Sequence, residues 1–464
     1  MTRSAAIARA GEHFDCGEFR TTLARRIAMP TESQRPERAD VLAAYLSDEM
    51  QPAFEAMGFK CRTLRHPLAK APFLFAQRIE GTGLPTVFGY GHGDVIRGLE
   101  PEWRSGLSPW QLSEHDGRWY GRGIADNKGQ HSINLQAMAN VLAERGRLGF
   151  NAKYLIEMGE ETGSPGLREL CAEHRALFDA DLLLASDGPR LRADRPTLFL
   201  GSRGCLNFDL RIDARAGGHH SGNWGGLISN PGIQMAHAIA SIVSPTGQIR
   251  IAEWVPSELP AAVRRALADC EVDGGVDGPA IDAGWGEPGL SPAERVFGWC
   301  SFEVLAFKTG NPETPVNAIP PRAWARCQLR FVVGINDSRI LPALRRHLDR
   351  HGFQMVEIVE TGEERFRATR IDPDDPWVRW VASSIAETSG KTPAILPNLG
   401  GSLPNDIFTD VLGLRTVWVP HSYPGCSQHA PNEHLPPELL REALLVMTGL
   451  YWDLGAGGTP AAAG

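Results

Sequence analysis

The chain has 464 residues, of which 42% are hydrophobic and 22% charged, with a formal net charge of −8. That length exceeds one ordinary domain, so two are expected, and the composition suits a globular protein with ample core. The negative balance argues against a polyanion-binding surface. No run approaches the roughly 20 apolar residues that cross a bilayer, and the opening MTRSAAIARAGEHFDC lacks the apolar stretch of a secretory signal. The expectation is a cytoplasmic protein that binds neither nucleic acid nor membrane.

In chain order, TVFGYGH (86–92) reads as a buried strand. Ile133, Ala137, Met138, Val141 and Leu142 follow at helical spacing, with a stop at Gly146. AKYLIEM (152–158) and ADLLLAS (180–186) read as interior strands of a parallel sheet, with a helix over 167–177 between them. This alternation predicts an α/β sandwich. After about residue 203 the character changes. CLNFDLRIDARAG alternates like a half-exposed strand, as does AWARCQLRFVV (323–333), and helical stretches follow each, NPGIQMAHAIASIVS and LPALRRHLDRHG (341–352). The segment 270–290 is rich in Gly, Asp and Pro and reads as irregular surface. IDPDDP (371–376) reads as a linker and helix start, after which WVRWVASSIAETSG and RTVWVPH resume the α/β pattern; the tail GAGGTPAAAG is of low complexity. The predicted fold class is α/β: a catalytic α/β domain with a mostly parallel sheet (1–203 and 371–464) and an inserted α+β lid or dimerisation domain (204–370). The eight cysteines are dispersed without a CxxC pair, which argues against a disulfide framework or a thiolate cluster; Cys426, near His429, is placed to line a pocket.

Five short acidic or His-containing segments carry the chemistry: GHGD at His92, GRGIADNKG at Asp126, GEETGS at Glu160, SDGP at Asp187 and SQHAPNEH at His429. Singly each has an ordinary reading. Asp187 suits a turn, His92 a loop, Asp126 a helix cap, Glu160 and Glu161 a solvated helix start, and His429 and Glu433 a surface. Three of the segments directly follow apolar strand-like runs, however. In open α/β sheets, side chains beyond the carboxyl ends of strands converge on one site.

Together these segments resemble the M20 family of zinc peptidases and amidohydrolases over roughly residues 85 to 435, with WYGRGIADNKG and QHAPNEH especially close to its pattern. The resemblance implies that His92, Asp126 and Asp187 hold one Zn2+ and that Asp126, Glu161 and His429 hold a second, with Asp126 bridging and Co2+ or Mn2+ able to substitute. It implies that Asp94 orients a ligand imidazole and that Glu160 is the general base. GGHHSGNWGG resembles the family's HSGxxGG segment. His220 is then the histidine that reaches into a partner subunit's active site, which implies a homodimer; adjacent His219 leaves that register open by one. VNAIPPRAWARCQLRFVVG places Asn317 and Arg330 as substrate contacts, Arg330 gripping a carboxylate with two hydrogen bonds. GGSLP (400–404) resembles the substrate loop, with the N–H groups of Gly401 and Ser402 facing a carboxylate. Val95-Ile96-Arg97, Met158, Thr162, Asn398 and Asn405 depart from the usual family pattern without removing a ligand.

The expected activity is a two-zinc hydrolase that cleaves an amide or peptide bond beside a free carboxylate, of dipeptidase or carboxypeptidase type. An N-acyl-amino-acid amidohydrolase is the nearest alternative. A non-catalytic metal-binding assembly protein is the other, and the presence of Glu160 speaks against it. No GxGxxG fingerprint, phosphate loop or nucleophile elbow occurs in the chain.

Overall fold

The apolar runs of the sequence become the middle of an eight-stranded sheet in the computed structural model, which describes residues 1–274, 278–362 and 365–460. The strand order is Lys60–Leu64, Phe73–Arg78, Asn151–Glu157, Thr86–His92, Leu182–Ala185, Thr416–Trp418, Thr197–Phe199, Ala394–Leu396. The four central strands from Asn151–Glu157 to Thr416–Trp418 all run parallel. Antiparallel pairs join the first three strands and the Thr416–Trp418 contact with Thr197–Phe199.

Both faces of this sheet are covered, because its central strands are apolar on both sides. Alternate residues divide between two cores: Leu74, Val87, Ile156, Leu182 and Leu184 face one, and Phe75, Phe88, Leu155, Leu183 and Ala185 the other. The first core is roofed by helices Arg3–Asp15, Lys128–Arg145, Pro376–Ser389 and Pro437–Ala456. Helix Lys128–Arg145 ends at Gly146 in the left-handed region (φ 78°), the stop its sequence signals. Its second residue must be glycine: a Cβ on Gly129 would lie 2.0 Å from the Ile124 carbonyl oxygen.

Between its two visits to this sheet the chain builds a four-stranded antiparallel sheet, ordered Ser301–Thr309, Arg322–Phe331, Gly204–Asp213, Glu357–Glu360. Helices Pro231–Ile242 and Ile340–Arg350 pack on it over a core that includes Phe208, Leu210, Met235, Leu329 and Leu344. The described residues from Leu259 to Trp299 do not belong to that core. Leu259, Val263, Leu267, Cys270, Ala293 and Trp299 pack instead into the second core of the large sheet.

Several expectations change in detail. The stretch 167–177 is two helices, Leu167–Glu173 and Arg175–Phe178, parted at His174, whose backbone leaves the helical region (φ −115°, ψ 29°). The last helix continues to Ala456 and takes in the first residues of the tail, whose positions 461–464 lie outside the described residues. The segment 270–290 is irregular over its described residues, yet it is not merely surface, since Cys270 is buried. None of the eight cysteines forms a disulfide among the described residues, and no helix among those residues is long and apolar enough to cross a membrane.

Candidate metal centre

Strands Asn151–Glu157, Thr86–His92 and Leu182–Ala185 are neighbours and parallel, so their carboxyl ends lie on one edge of the sheet. His92 closes the middle strand, Glu160 and Glu161 follow the first after a short turn, and Asp187 follows the third. Asp126 sits in the loop before helix Lys128–Arg145. His429 comes from a turn near the C-terminus and adopts φ +59°, a conformation uncommon for any residue but glycine.

Two triads result, His92–Asp126–Asp187 and Asp126–Glu161–His429, each with its ligand atoms within 4.8 Å of one another. Asp126 belongs to both. Its Oδ1 is 3.0 Å from His92 Nε2 and its Oδ2 is 3.0 Å from His429 Nε2. His92 Nε2 lies 3.4 Å from Asp187 Oδ2, and His429 Nε2 lies 2.9 Å from Glu161 Oε2. His92 Nε2 and Asp187 Oδ2 are buried and make no hydrogen bond of good geometry among the described residues. Buried polar atoms are rarely left so, and the two converge where a cation would satisfy both. The donor set, imidazole nitrogen with carboxylate oxygen, suits zinc. The residues present fit the metals the sequence implies.

The electrostatics agree. Burial, the proximity of Glu161 and the further carboxylates of Asp187 and Asp126 push the Glu160 carboxyl well above its usual range, against the pull of His92. Burial and Asp126 push Glu161 up to about 7. Burial opposes charge on His92, but contacts with Asp126, Asp187 and Asp94 outweigh it and hold the imidazole well above its ordinary value. For His429 the carboxylates of Asp126 and Glu161 likewise overcome burial and raise it to about 11. Four carboxylates gathered in a space of low polarity need positive charge to remain ionised together.

Asp94 is buried beneath the cluster. Its carboxylate accepts the backbone N–H groups of Glu160 and Glu161, both at 3.2 Å. The His92 Nδ1–H is directed to the Asp94 backbone carbonyl at 3.1 Å and lies 3.4 Å from Oδ1. Asp94 therefore ties the two glutamates to the histidine's loop.

A cavity of about 660 Å³ opens over the cluster and reaches the four-stranded sheet, and Glu160, Arg330, Gly401 and Ser402 line it. Arg330 Nη1 donates to Ser402 Oγ at 2.9 Å, and Ser402 Oγ donates to the Arg203 carbonyl at 2.7 Å. Arg330 Nε donates to Gln328 Oε1 at 3.1 Å. Among the described residues no hydrogen bond engages Arg330 Nη2 or the N–H groups of Gly401 and Ser402, which leaves them for a ligand. His220 and Asn317 do not join this cavity. They stand exposed on a two-stranded ribbon, His219–His220 against Ala318–Ile319, with the Asn317 carbonyl accepting the Ser221 N–H at 2.9 Å. The His219 ring packs edge-on against Trp224 at 5.8 Å, whereas no ring contact involves His220 among the described residues.

Three supporting residues escape sequence reasoning. Glu433, readable only as an ordinary surface acid, is buried; it binds Arg122 Nη1 at 2.8 Å and accepts the N–H groups of Gly123, Ala125 and Asp126 at 3.1, 2.8 and 3.2 Å. Gln428 Nε2 donates to Asp126 Oδ2 at 2.6 Å. Gln130 Nε2 donates to the carbonyls of Ala125 and Gly188, and its Oε1 accepts the His421 N–H. Position beside His429 is the one signal that could have marked Gln428 and Glu433. Cys426, expected near the pocket, is fully buried; Cys205 lines the cavity instead.

Residues 89–453 match the pattern of the peptidase family M20/M25/M40. The chain is similar to the cysteinylglycine-S-conjugate dipeptidase of Corynebacterium striatum, with 28% identity over 69% of this chain and 70% of that protein. It is similar to the Cys-Gly metallodipeptidase DUG1 of Saccharomyces cerevisiae, with 31% identity over 75% of each. Among solved structures it resembles the M20 metallo-carboxypeptidase Sso-CP2 of Sulfolobus solfataricus, with a TM-score of 0.78 and 25% identity over 95% of this chain and 99% of that one. The chain therefore belongs to peptidase family M20/M25/M40 and is a metal-dependent hydrolase of peptide bonds.

Proposed function

We propose that the protein is a two-zinc dipeptidase. The observation that carries this reading is the pair of triads sharing Asp126, one of them fully buried, in a cavity that Arg330, Gly401 and Ser402 also line. His92, Asp126 and Asp187 would hold one ion and Asp126, Glu161 and His429 the other. Bound zinc supplies an acidified water and polarises the scissile carbonyl.

The chain's own residues do the rest. Arg330, Ser402 and Gly401 grip the substrate's terminal carboxylate and so set the peptide bond at a fixed distance from the triads. Glu160 lines the cavity without coordinating in either triad. It takes the water proton and returns it to the leaving amine. Asp94 holds the backbone of Glu160 in place. The dipeptidase names of the relatives in Corynebacterium and yeast favour a dipeptide over an N-acyl amino acid.

The same reading includes a homodimer. Strand Ser301–Thr309 is an edge strand with Val304, Leu305 and Phe307 exposed, an arrangement that invites pairing with another chain. His220 and Asn317 then serve the partner's cavity, His220 as a donor to the developing oxyanion. Eight cysteines that form no disulfide among the described residues suit a reducing compartment, the cytoplasm.

A hydrolysis screen of dipeptides and N-acyl amino acids on protein of measured zinc content tests the reading. We expect two zinc ions per chain and turnover of dipeptides above that of N-acyl amino acids. Turnover confined to the N-acyl substrates, or no zinc bound, overturns it.

A further inference from the structure

The carboxylate grip has an apolar neighbour that the metal chemistry does not use. Helix Pro292–Phe297 is fixed by a capping box, in which Ser291 Oγ accepts the Glu294 N–H and the Glu294 carboxylate accepts the Ser291 N–H. Its last two residues, Val296 and Phe297, line the cavity. A Cβ built on Gly400 would lie 3.0 Å from Val296 Cγ1 and 3.8 Å from Phe297 Cε1. The two side chains thus flank the glycine loop that offers the N–H groups of Gly401 and Ser402. Val272 and Leu399 extend the same wall. Val296 keeps 36% of its surface exposed, unusual for a side chain on a helix otherwise anchored to the large sheet's core.

Charge limits what else could sit there. Among the described residues, the basic side chains lining the cavity are Arg190, Arg330 and His429. The Arg190 guanidinium is spent on Glu442 and on the Pro420 and Ala193 carbonyls. His429 faces Asp126 and Glu161. Of these three, Arg330 remains for substrate, enough for one carboxylate; Arg203, buried beside the loop, gives its Nε to the Gly400 carbonyl at 2.8 Å and its Nη1 to Ser301 Oγ at 3.3 Å. An acidic side chain beside that carboxylate would lose its water against the apolar wall.

We propose that Val296, Phe297, Val272 and Leu399 form the pocket for the side chain of the substrate's C-terminal residue, and that it selects dipeptides ending in a bulky apolar residue. This rests on the dipeptidase reading above, because the Arg330–Ser402 grip on the terminal carboxylate is what brings that side chain against Phe297. Apolar pockets discriminate by area removed from water, and the gain appears chiefly as tighter substrate binding.

The experiment compares kcat/KM on Gly-Leu, Gly-Phe, Gly-Gly and Gly-Glu for metal-loaded wild type, Val296→Asp and Phe297→Ala. In parallel, calorimetry measures binding of free leucine and free glycine, a readout independent of turnover. Wild type should favour Gly-Leu and Gly-Phe over Gly-Gly and Gly-Glu by about tenfold or more. Each variant should shrink the Gly-Leu to Gly-Gly ratio by about tenfold, mainly through KM. Leucine should bind at least about tenfold more tightly than glycine to wild type, and Val296→Asp should abolish the difference. Val296 is partly exposed, so its replacement spares the core if Phe297→Ala fails to fold. Equal rates on Gly-Gly and Gly-Leu, a preference for Gly-Glu, or unchanged ratios in both variants would overturn the pocket and leave the dipeptidase reading standing. Absence of turnover on every dipeptide would overturn that reading itself.

Discussion

The carboxylate-rich cluster and the exposed ribbon make opposite use of histidine. His92 and His429 each face two or more carboxylates, His92 at the end of a strand of the large sheet and His429 from a turn near the C-terminus. His220 projects from a two-stranded ribbon on the smaller sheet's unit, clear of the cavity in its own chain. The first arrangement is complete within one chain; on the dimer proposed above, the second would serve a partner's cavity. Metal binding and turnover should therefore separate when each region is altered.

The largest effect falls on the cluster. Glu160→Ala should lower kcat by about 10²–10⁴-fold, the range for a general base, with zinc content unchanged by atomic absorption. Near-normal kcat would show that another group takes the proton. On the ribbon, His220→Ala should lower kcat by about 10²-fold, the scale of one oxyanion donor, again with full zinc. Wild-type kcat in that variant would erase the functional distinction between the two histidine settings and return His220 to the ordinary surface. The smallest effect probes what stands behind the cluster. Glu433→Gln keeps the shape but weakens the hold on Gly123, Ala125 and Asp126, and should cost about tenfold in zinc affinity by competition with a chelator. Unchanged affinity would mean that the loop of Asp126 is rigid without that carboxylate.

What could be read in the chain divides along similar lines. The five residues of the two triads and Glu160 lie in short segments of distinctive composition, so His92 in GHGD and Asp126 in GRGIADNKG announce themselves. The strands behind them are legible because they are apolar on both faces. Supporting contacts leave no such trace. Glu433 accepts backbone N–H groups some 310 residues away in the chain, and backbone donors have no signature in sequence. The segment 270–290 shows its irregularity in its glycines and prolines, but nothing in composition reveals that Val272, and beyond it Val296 and Phe297, turn inward. Strand Ser301–Thr309 hides its alternation because a bulge between Val304 and Ala306 shifts the register. The helices before residue 57 carry no chemistry to draw the eye, although Lys128 Nζ reaches back to the carbonyls of Arg26 and Met29.

The turn that carries His429 also carries Glu433, and the two hold Asp126 from opposite sides. His429 meets its carboxylate from the front, while Glu433 holds its amide from behind. A small displacement of this turn pulls on both halves of the centre at once. Five consecutive positions of one turn therefore anchor the residue on which both metal sites depend.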